Sequence, residues 1–173
     1  MANDNEVMGR MMFEKAQKEY PYLSGKDIAF SYTPKKDDRK LEFYGPEETE
    51  RPKNIPSGKV GIEVFNPKVA PLDILGDYVS HYAVQNDPRL KELYAQFQSQ
   101  LNPDEMLKRY QYHQQHLGEQ RPYSEWLKLV GSPEVFRGYT FNQWPSEFSQ
   151  KYYTPEQIKT LNEVRSYLGI KSR

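Results

Sequence analysis

DIAFSY at residues 27–32 and VGIEV at residues 60–64 decide the fold class. Both stretches alternate apolar residues with other residues at a period of two, which is typical of a strand that buries one face. LEF at residues 41–43 continues the alternation after a turn, so DIAFSY and LEF together predict a β-hairpin. The segment at residues 45–58 is rich in proline, glycine and charge, which predicts an exposed loop. The sequence therefore predicts a small antiparallel sheet of about three strands within residues 27–65.

Helical periodicity lies on both sides of the predicted sheet. A helix is expected over residues 4–18, where one apolar stripe should dock on the rest of the chain; its members are Val7, Met8, Met11, Met12 and Ala16. The spacing stays helical over residues 72–168, and TPEQ at residues 154–157 is the clearest helix start, because its threonine can cap while its glutamine reaches back. We therefore predict an α+β protein of one domain, residues 1–173, in which a mostly helical C-terminal two-thirds packs on the β-rich part at residues 27–66.

Charge and composition exclude several functional classes. The chain has 24 lysines and arginines against 24 aspartates and glutamates, so the basic excess of a general nucleic-acid binder is absent. No run of apolar residues is long enough to predict a membrane span, and the acidic, asparagine-rich start is unlike a signal peptide. We expect an intracellular protein, or one packaged with material made inside a cell. The absence of cysteine excludes disulfides, thiol nucleophiles and thiolate metal ligands.

Asp73, Asp77 and His81 are spaced four residues apart, so a helix places them along one edge. In the functional interpretation Asp77 orients His81 through one ring nitrogen, as a catalytic base or a metal ligand. The alternative is a polar helix face with a favourable acid–histidine pair.

His113, His116 and Glu119 form an H-x-x-H-x-x-E pattern on a second predicted helix. With His81 they could bind a divalent ion such as zinc or manganese. The pattern differs from the H-E-x-x-H of zinc peptidases, and Gly118 tends to end the helix before Glu119. The alternative is an exposed surface rich in glutamine and histidine.

Aromatic residues are concentrated late in the chain, over residues 136–145 and just beyond. Tyrosine, tryptophan and arginine dominate the energetics of protein interfaces, so this part is a candidate partner surface. The alternative is that these rings fill the core, since the chain has few aliphatic residues. The candidate partner-binding residues are Arg137, Tyr139, Phe141, Trp144, Tyr152 and Tyr153.

The chain resembles phage-encoded proteins, in particular the large internal or polyvalent proteins of tailed phages, in four stretches: GIEVFNP (61–67), LDILGDYVSHY (72–82), FRGYTFNQWP (136–145) and YYTPEQ (152–157). The resemblance implies a phage or prophage protein that acts inside the virion or on a host factor. None of the four stretches is a motif with an assigned reaction, so the resemblance transfers no catalytic residue.

These features predict a non-enzymatic protein-interaction module of phage type, either a virion component or an inhibitor of a host factor. It would bind a phage or host protein without a cofactor, in the host cytoplasm or in the virion. No nucleophile elbow, phosphate-binding loop or dinucleotide fingerprint occurs in the sequence. The alternative is a metal-dependent hydrolase that uses Asp77 and His81. A third class, single-stranded nucleic-acid binding on exposed tyrosines, lacks the basic groove that such binding needs.

Overall fold

The computed structural model describes residues 3–35, 39–130 and 153–170. It confirms the α+β class, with a three-stranded sheet and helices through the later part of the chain. The chain divides into two compact units, unit 1 (Met1–Ala83) and unit 2 (Val84–Arg173). The single-domain expectation stays a prediction.

Unit 1 holds the three strands, β1 (Ile28–Tyr32), β2 (Leu41–Tyr44) and β3 (Val60–Val64). Their order across the sheet is β1-β3-β2, with β1 parallel and β2 antiparallel to β3. The sheet is thus mixed, and the expectations of antiparallel pairing throughout and of a hairpin between β1 and β2 are wrong. The physical reason lies in burial: every residue of β3 is buried, which suits the central position, whereas β1 and β2 are partly exposed at the edges.

The register assigns each side chain to one of two faces. Phe30, Ile62 and Phe43 lie in one row across the sheet, and Phe30 stacks on Phe13 with ring centres 5.0 Å apart. Because side chains alternate along a strand, the next row points to the opposite face. That row consists of Ser31, Glu63 and Glu42.

Helix α1 (Asp4–Glu19) confirms the predicted N-terminal helix, with Asn3 as its N-cap. Its buried residues are Gly9 and Ala16, and a Cβ atom at Gly9 would lie 3.1 Å from the backbone nitrogen of Tyr32. The helix therefore approaches β1 closely through glycine. The stripe expected to dock is only partly the docking face, because three of its five members are exposed: Val7, Met8 and Met11.

The segment at residues 45–58 lies against the polar face of the sheet. Ile55 is buried, and its side chain occupies the space that a Cβ atom at Gly61 would need. Arg51 donates hydrogen bonds to three backbone carbonyls of the segment, those of Gly45, Glu48 and Pro56. The segment is therefore anchored at these points, although many of its residues are exposed as expected.

A short 3₁₀ helix (Pro21–Leu23) follows α1, and helix α2 (Pro71–Tyr78) follows β3. Helix α2 continues into a π-helical turn, Val79–Ala83, whose wider winding replaces the regular helix predicted there.

Every secondary-structure element among the described residues of unit 2 is a helix. Its elements are α3 (Val84–Asn86), α4 (Pro88–Ser99), α5 (Pro103–His116), α6 (Tyr123–Val130) and α7 (Pro155–Leu168). Thr154 and Gln157 form the predicted reciprocal cap of α7, and Gly169, with φ of 77°, ends the helix as predicted. Among the described residues no helix has the length and apolar character needed to cross a membrane.

Candidate functional site

The predicted contact between Asp77 and His81 is present. Nε2 of His81 lies 3.5 Å from Oδ1 of Asp77, and the imidazole, half exposed, stacks on Phe43 with ring centres 5.2 Å apart. Asp77 is buried, so it can fix the orientation of an exposed imidazole. Asp73 has a separate role, because its carboxylate accepts a hydrogen bond from the backbone nitrogen of Ala70 at the start of α2.

His113, His116 and Glu119, the second predicted set of metal ligands, each contact a different residue. His113 is 1% exposed, and its Nδ1 accepts a hydrogen bond of 3.2 Å from Nε1 of Trp126. His116 is exposed and contacts the Tyr112 ring, with centres 4.5 Å apart. The alternative of an exposed surface therefore fits His116, whereas His113 belongs to the core of unit 2.

Glu119 lies beyond the end of α5, as Gly118 predicted. Its two carboxylate oxygens accept hydrogen bonds from Arg121 at 2.8 and 3.1 Å, which lowers the pKa of Glu119. Within residues 3–35, 39–130 and 153–170 no group of three or more histidine, aspartate or glutamate side chains could hold a metal ion. Metal binding stays a prediction.

Most of the predicted partner-binding residues lie outside the described residues: Arg137, Tyr139, Phe141, Trp144 and Tyr152. Tyr153 is described and fully buried, with its ring centre 5.3 Å from that of Phe97 in an edge-to-face contact. The prediction that Tyr153 belongs to an exposed partner surface is therefore corrected: its ring fills the core of unit 2.

Helix α1 carries an exposed apolar surface, the α1 patch, formed by Val7, Met8 and Met11. Their exposed fractions are 41%, 40% and 60%. Apolar side chains that cluster on a surface mark an interaction site more often than isolated ones do. The sequence shows these residues, but it could not separate them from the docking face; the one available signal was Gly9, which permits close approach on the other side of the helix.

A second site, the Glu–Tyr cavity, lies on the polar face of the sheet. Its volume is about 840 Å³, and Glu42, Tyr44, Glu63 and Arg51 contribute to its wall. The Tyr44 hydroxyl lies 3.1 Å from Oε1 of Glu63 and 3.2 Å from Oε2 of Glu42. Burial of the phenol, followed by the negative charges of Glu63 and Glu42, raises the pKa of Tyr44.

The two glutamates meet because of the sheet register. Glu42 and Glu63 are directly opposite each other in the antiparallel pair of β2 and β3. The alternation in each strand does place both residues on the polar side, but alternation alone does not identify which strands are neighbours. Sequence reasoning therefore missed this pair.

Comparisons with known proteins do not assign the chain to a family. No protein-family model matches the chain, and no curated protein or solved structure matches it.

Proposed function

We propose that the chain is a non-enzymatic protein-interaction module of phage type, which serves as a virion component or inhibits a host factor. The observation that carries the proposal is the α1 patch. The phage assignment rests on the resemblance of four stretches of the sequence to phage internal proteins.

The geometry of α1 supports a second contact surface on this helix. At 3.6 residues per turn, Val7, Met11 and Met8 fall within an arc of about 100°, centred about 140° from the direction of Gly9 and Ala16. The helix therefore has a buried face towards its own unit and a separate apolar face away from it. Methionine suits such a face because its flexible thioether adapts to varied partner shapes.

The charges beside the patch indicate the chemistry of the partner. Lys15 and Lys18 follow Met11 by four and seven residues, so the helix places both near the same face. Both lysines are exposed. Asp4 and Glu14, each three residues from a member of the patch, are also exposed near this face, so we infer a partner with an apolar contact region bordered by charges of both signs.

The test uses two variants matched in chemistry. Met11→Glu places a charge in the α1 patch, and Leu107→Glu places one at another exposed apolar residue, on α5 of unit 2. A partner captured by the wild type from phage-producing cells is purified and titrated against all three proteins. We expect at least a tenfold loss of affinity for Met11→Glu, equivalent to about 1.4 kcal/mol, and none for Leu107→Glu. Equal affinities for all three proteins would overturn the proposal.

The stability of the variants supplies an independent control. Because Met11 is exposed, Met11→Glu should leave the free energy of unfolding within about 0.5 kcal/mol of the wild-type value. A larger loss would show that Met11 belongs to the core, and the loss of binding would then have a different cause.

One observation favours a second candidate, the metal-dependent hydrolase. The contact between Asp77 and His81 orients a half-exposed imidazole within the π-helical turn Val79–Ala83, and such turns often accompany functional sites. Zinc or manganese that is retained after dialysis and lost in His81→Ala, but kept in His116→Ala, would support a metal site. Two results together would count against the hydrolase: the dialysed protein retains no metal, and His81→Ala binds the protein partner as tightly as the wild type does.

A further inference from the structure

The Glu–Tyr cavity contains a buried carboxylate with little compensation. The side chain of Glu63 is on the central strand, its residue is 3% exposed, and it contributes to the wall of the cavity. Its hydrogen-bond donor is the hydroxyl of Tyr44, and no lysine, arginine or histidine of the described chain forms an ion pair with it. A carboxylate removed from water is costly unless a cation or several donors compensate it.

The neighbouring carboxylate increases this cost. A tyrosine hydroxyl has one proton, so Tyr44 cannot fully satisfy both Glu63 and Glu42 at the same time. The two glutamates are cross-strand neighbours, an arrangement in which like charges destabilise a sheet. Nη1 of Arg39 lies 3.4 Å from Oε2 of Glu42, but this ion pair is exposed and does not include Glu63. The cavity therefore retains an excess of negative charge around Glu63.

The two cationic residues in the cavity wall already have partners within the protein, and the guanidinium carbon of Arg51 lies over the Tyr44 ring, 6.0 Å from its centre. The three donor nitrogens of Arg51 bond to backbone carbonyls, and Nζ of Lys35 lies over the ring of Phe65 at 4.3 Å from its centre. The amide nitrogen of Asn54 donates to the hydroxyls of Ser31 and Thr33, which leaves its side-chain oxygen as an acceptor. The cavity thus presents acceptors and negative charge to an incoming group.

We propose that the Glu–Tyr cavity binds a guanidinium group, the side chain of an arginine on the partner. A guanidinium is planar and presents five N–H donors in a fixed arrangement, which can serve two carboxylates on neighbouring strands at once. An ammonium group has three donors and is more strongly hydrated, so lysine should bind more weakly. Only the origin of the arginine in a protein partner rests on the proposed function; recognition of the guanidinium rests on the cavity.

The experiment uses small probes and the full chain. N-acetyl-arginine amide, its lysine analogue and its neutral citrulline analogue are titrated while amide chemical shifts of β2 and β3 are followed by NMR. We expect saturable shifts with the arginine probe, weaker binding of lysine and no binding of citrulline. Glu63→Gln should weaken arginine binding at least tenfold, whereas Glu125→Gln, at an exposed glutamate on α6 of unit 2 outside the cavity wall, should change it less than twofold.

Three results would overturn the inference. The first is that citrulline and arginine bind equally well. The second is that Glu63→Gln binds arginine as tightly as the wild type does, while its β2 and β3 chemical shifts show a folded sheet. The third is that the cavity binds Mg²⁺ or Ca²⁺ in preference to arginine. The same titration with Met11→Glu should match the wild type. Failure of the cavity and failure of the α1 patch are therefore distinguishable.

Discussion

Removal of the Tyr44 hydroxyl is the sharpest test of the electrostatics of the sheet. Tyr44→Phe deletes the donor that Glu63 uses and leaves the ring in place. A hydrogen bond to a charged group contributes about 1.5–3 kcal/mol, so we expect unit 1 to lose about that much stability. In Glu63→Gln protein the same deletion breaks a bond between neutral groups, which contributes about 0.5–1.5 kcal/mol.

The charge of Glu63 should itself be destabilising. The Glu63 and Glu42 oxygens that contact the hydroxyl are at most about 6 Å apart, where two unit charges repel by about 3 kcal/mol at an effective dielectric constant of about 20 and by less than about 1 kcal/mol in water. Glu63→Gln keeps the shape and removes this repulsion. The bond from Tyr44 to a neutral amide is weaker by about 1 kcal/mol, so we expect that this variant alone is more stable than the wild type by about 1–2 kcal/mol.

Hydrogen exchange of the β3 amides measures these differences within unit 1, because those amides exchange only when the sheet opens. The four proteins of the cycle are the wild type, Tyr44→Phe, Glu63→Gln and the double variant. The reasoning is refuted if Tyr44→Phe costs the same in both backgrounds, or if Glu63→Gln destabilises the sheet.

Three further predictions concern other contacts. Gly9→Val should destabilise unit 1 by about 1–3 kcal/mol, because the new Cβ would press on the backbone nitrogen of Tyr32; a neutral result in urea unfolding would contradict the close approach of α1 to β1. Trp126→Phe should cost about 1–3 kcal/mol, because it removes the donor to the buried His113; thermal unfolding of this variant at the wild-type temperature would contradict the account. Alkaline unfolding should depend on Tyr44: its pKa in the folded protein is raised, so its contribution is complete below the unfolded pKa of about 10 and is lost as the pH rises above it. Urea midpoints measured from pH 8 to pH 12 should therefore fall less steeply for Tyr44→Phe, and equal slopes would count against this role.

Local signals in the sequence were sufficient for the elements themselves. The alternation in DIAFSY and VGIEV located two strands, and the reciprocal cap of Thr154 and Gln157 located the start of α7. Each of these signals depends on residues a few positions apart, so no knowledge of the tertiary structure is needed to interpret it.

The arrangement of the strands was not predictable from the same signals. Alternation determines which face a residue occupies, but it does not determine which strand lies beside which. The sequence order suggested that β1 and β2 pair, whereas β3 lies between them. The juxtaposition of Glu42 and Glu63 depends on that order, so the Glu–Tyr cavity could not be inferred from the sequence.

The two faces of α1 show a different difficulty. Met8, Met11 and Met12 satisfy one helical pattern, and the pattern gives no reason to separate exposed from buried members. The separation arises because Gly9 and Ala16 are small enough for α1 to pack closely through them. Small residues on the opposite side of an apolar stripe therefore deserve the same weight as the stripe when a docking face is predicted.

Hydrogen exchange of the complex between this protein and its purified partner tests the interaction proposal most directly. We predict that partner binding slows exchange in α1, around Met8 and Met11, and that the effect disappears in Met11→Glu protein. Slowed exchange confined to unit 2, with α1 exchanging at the rate of the free protein, would contradict the account.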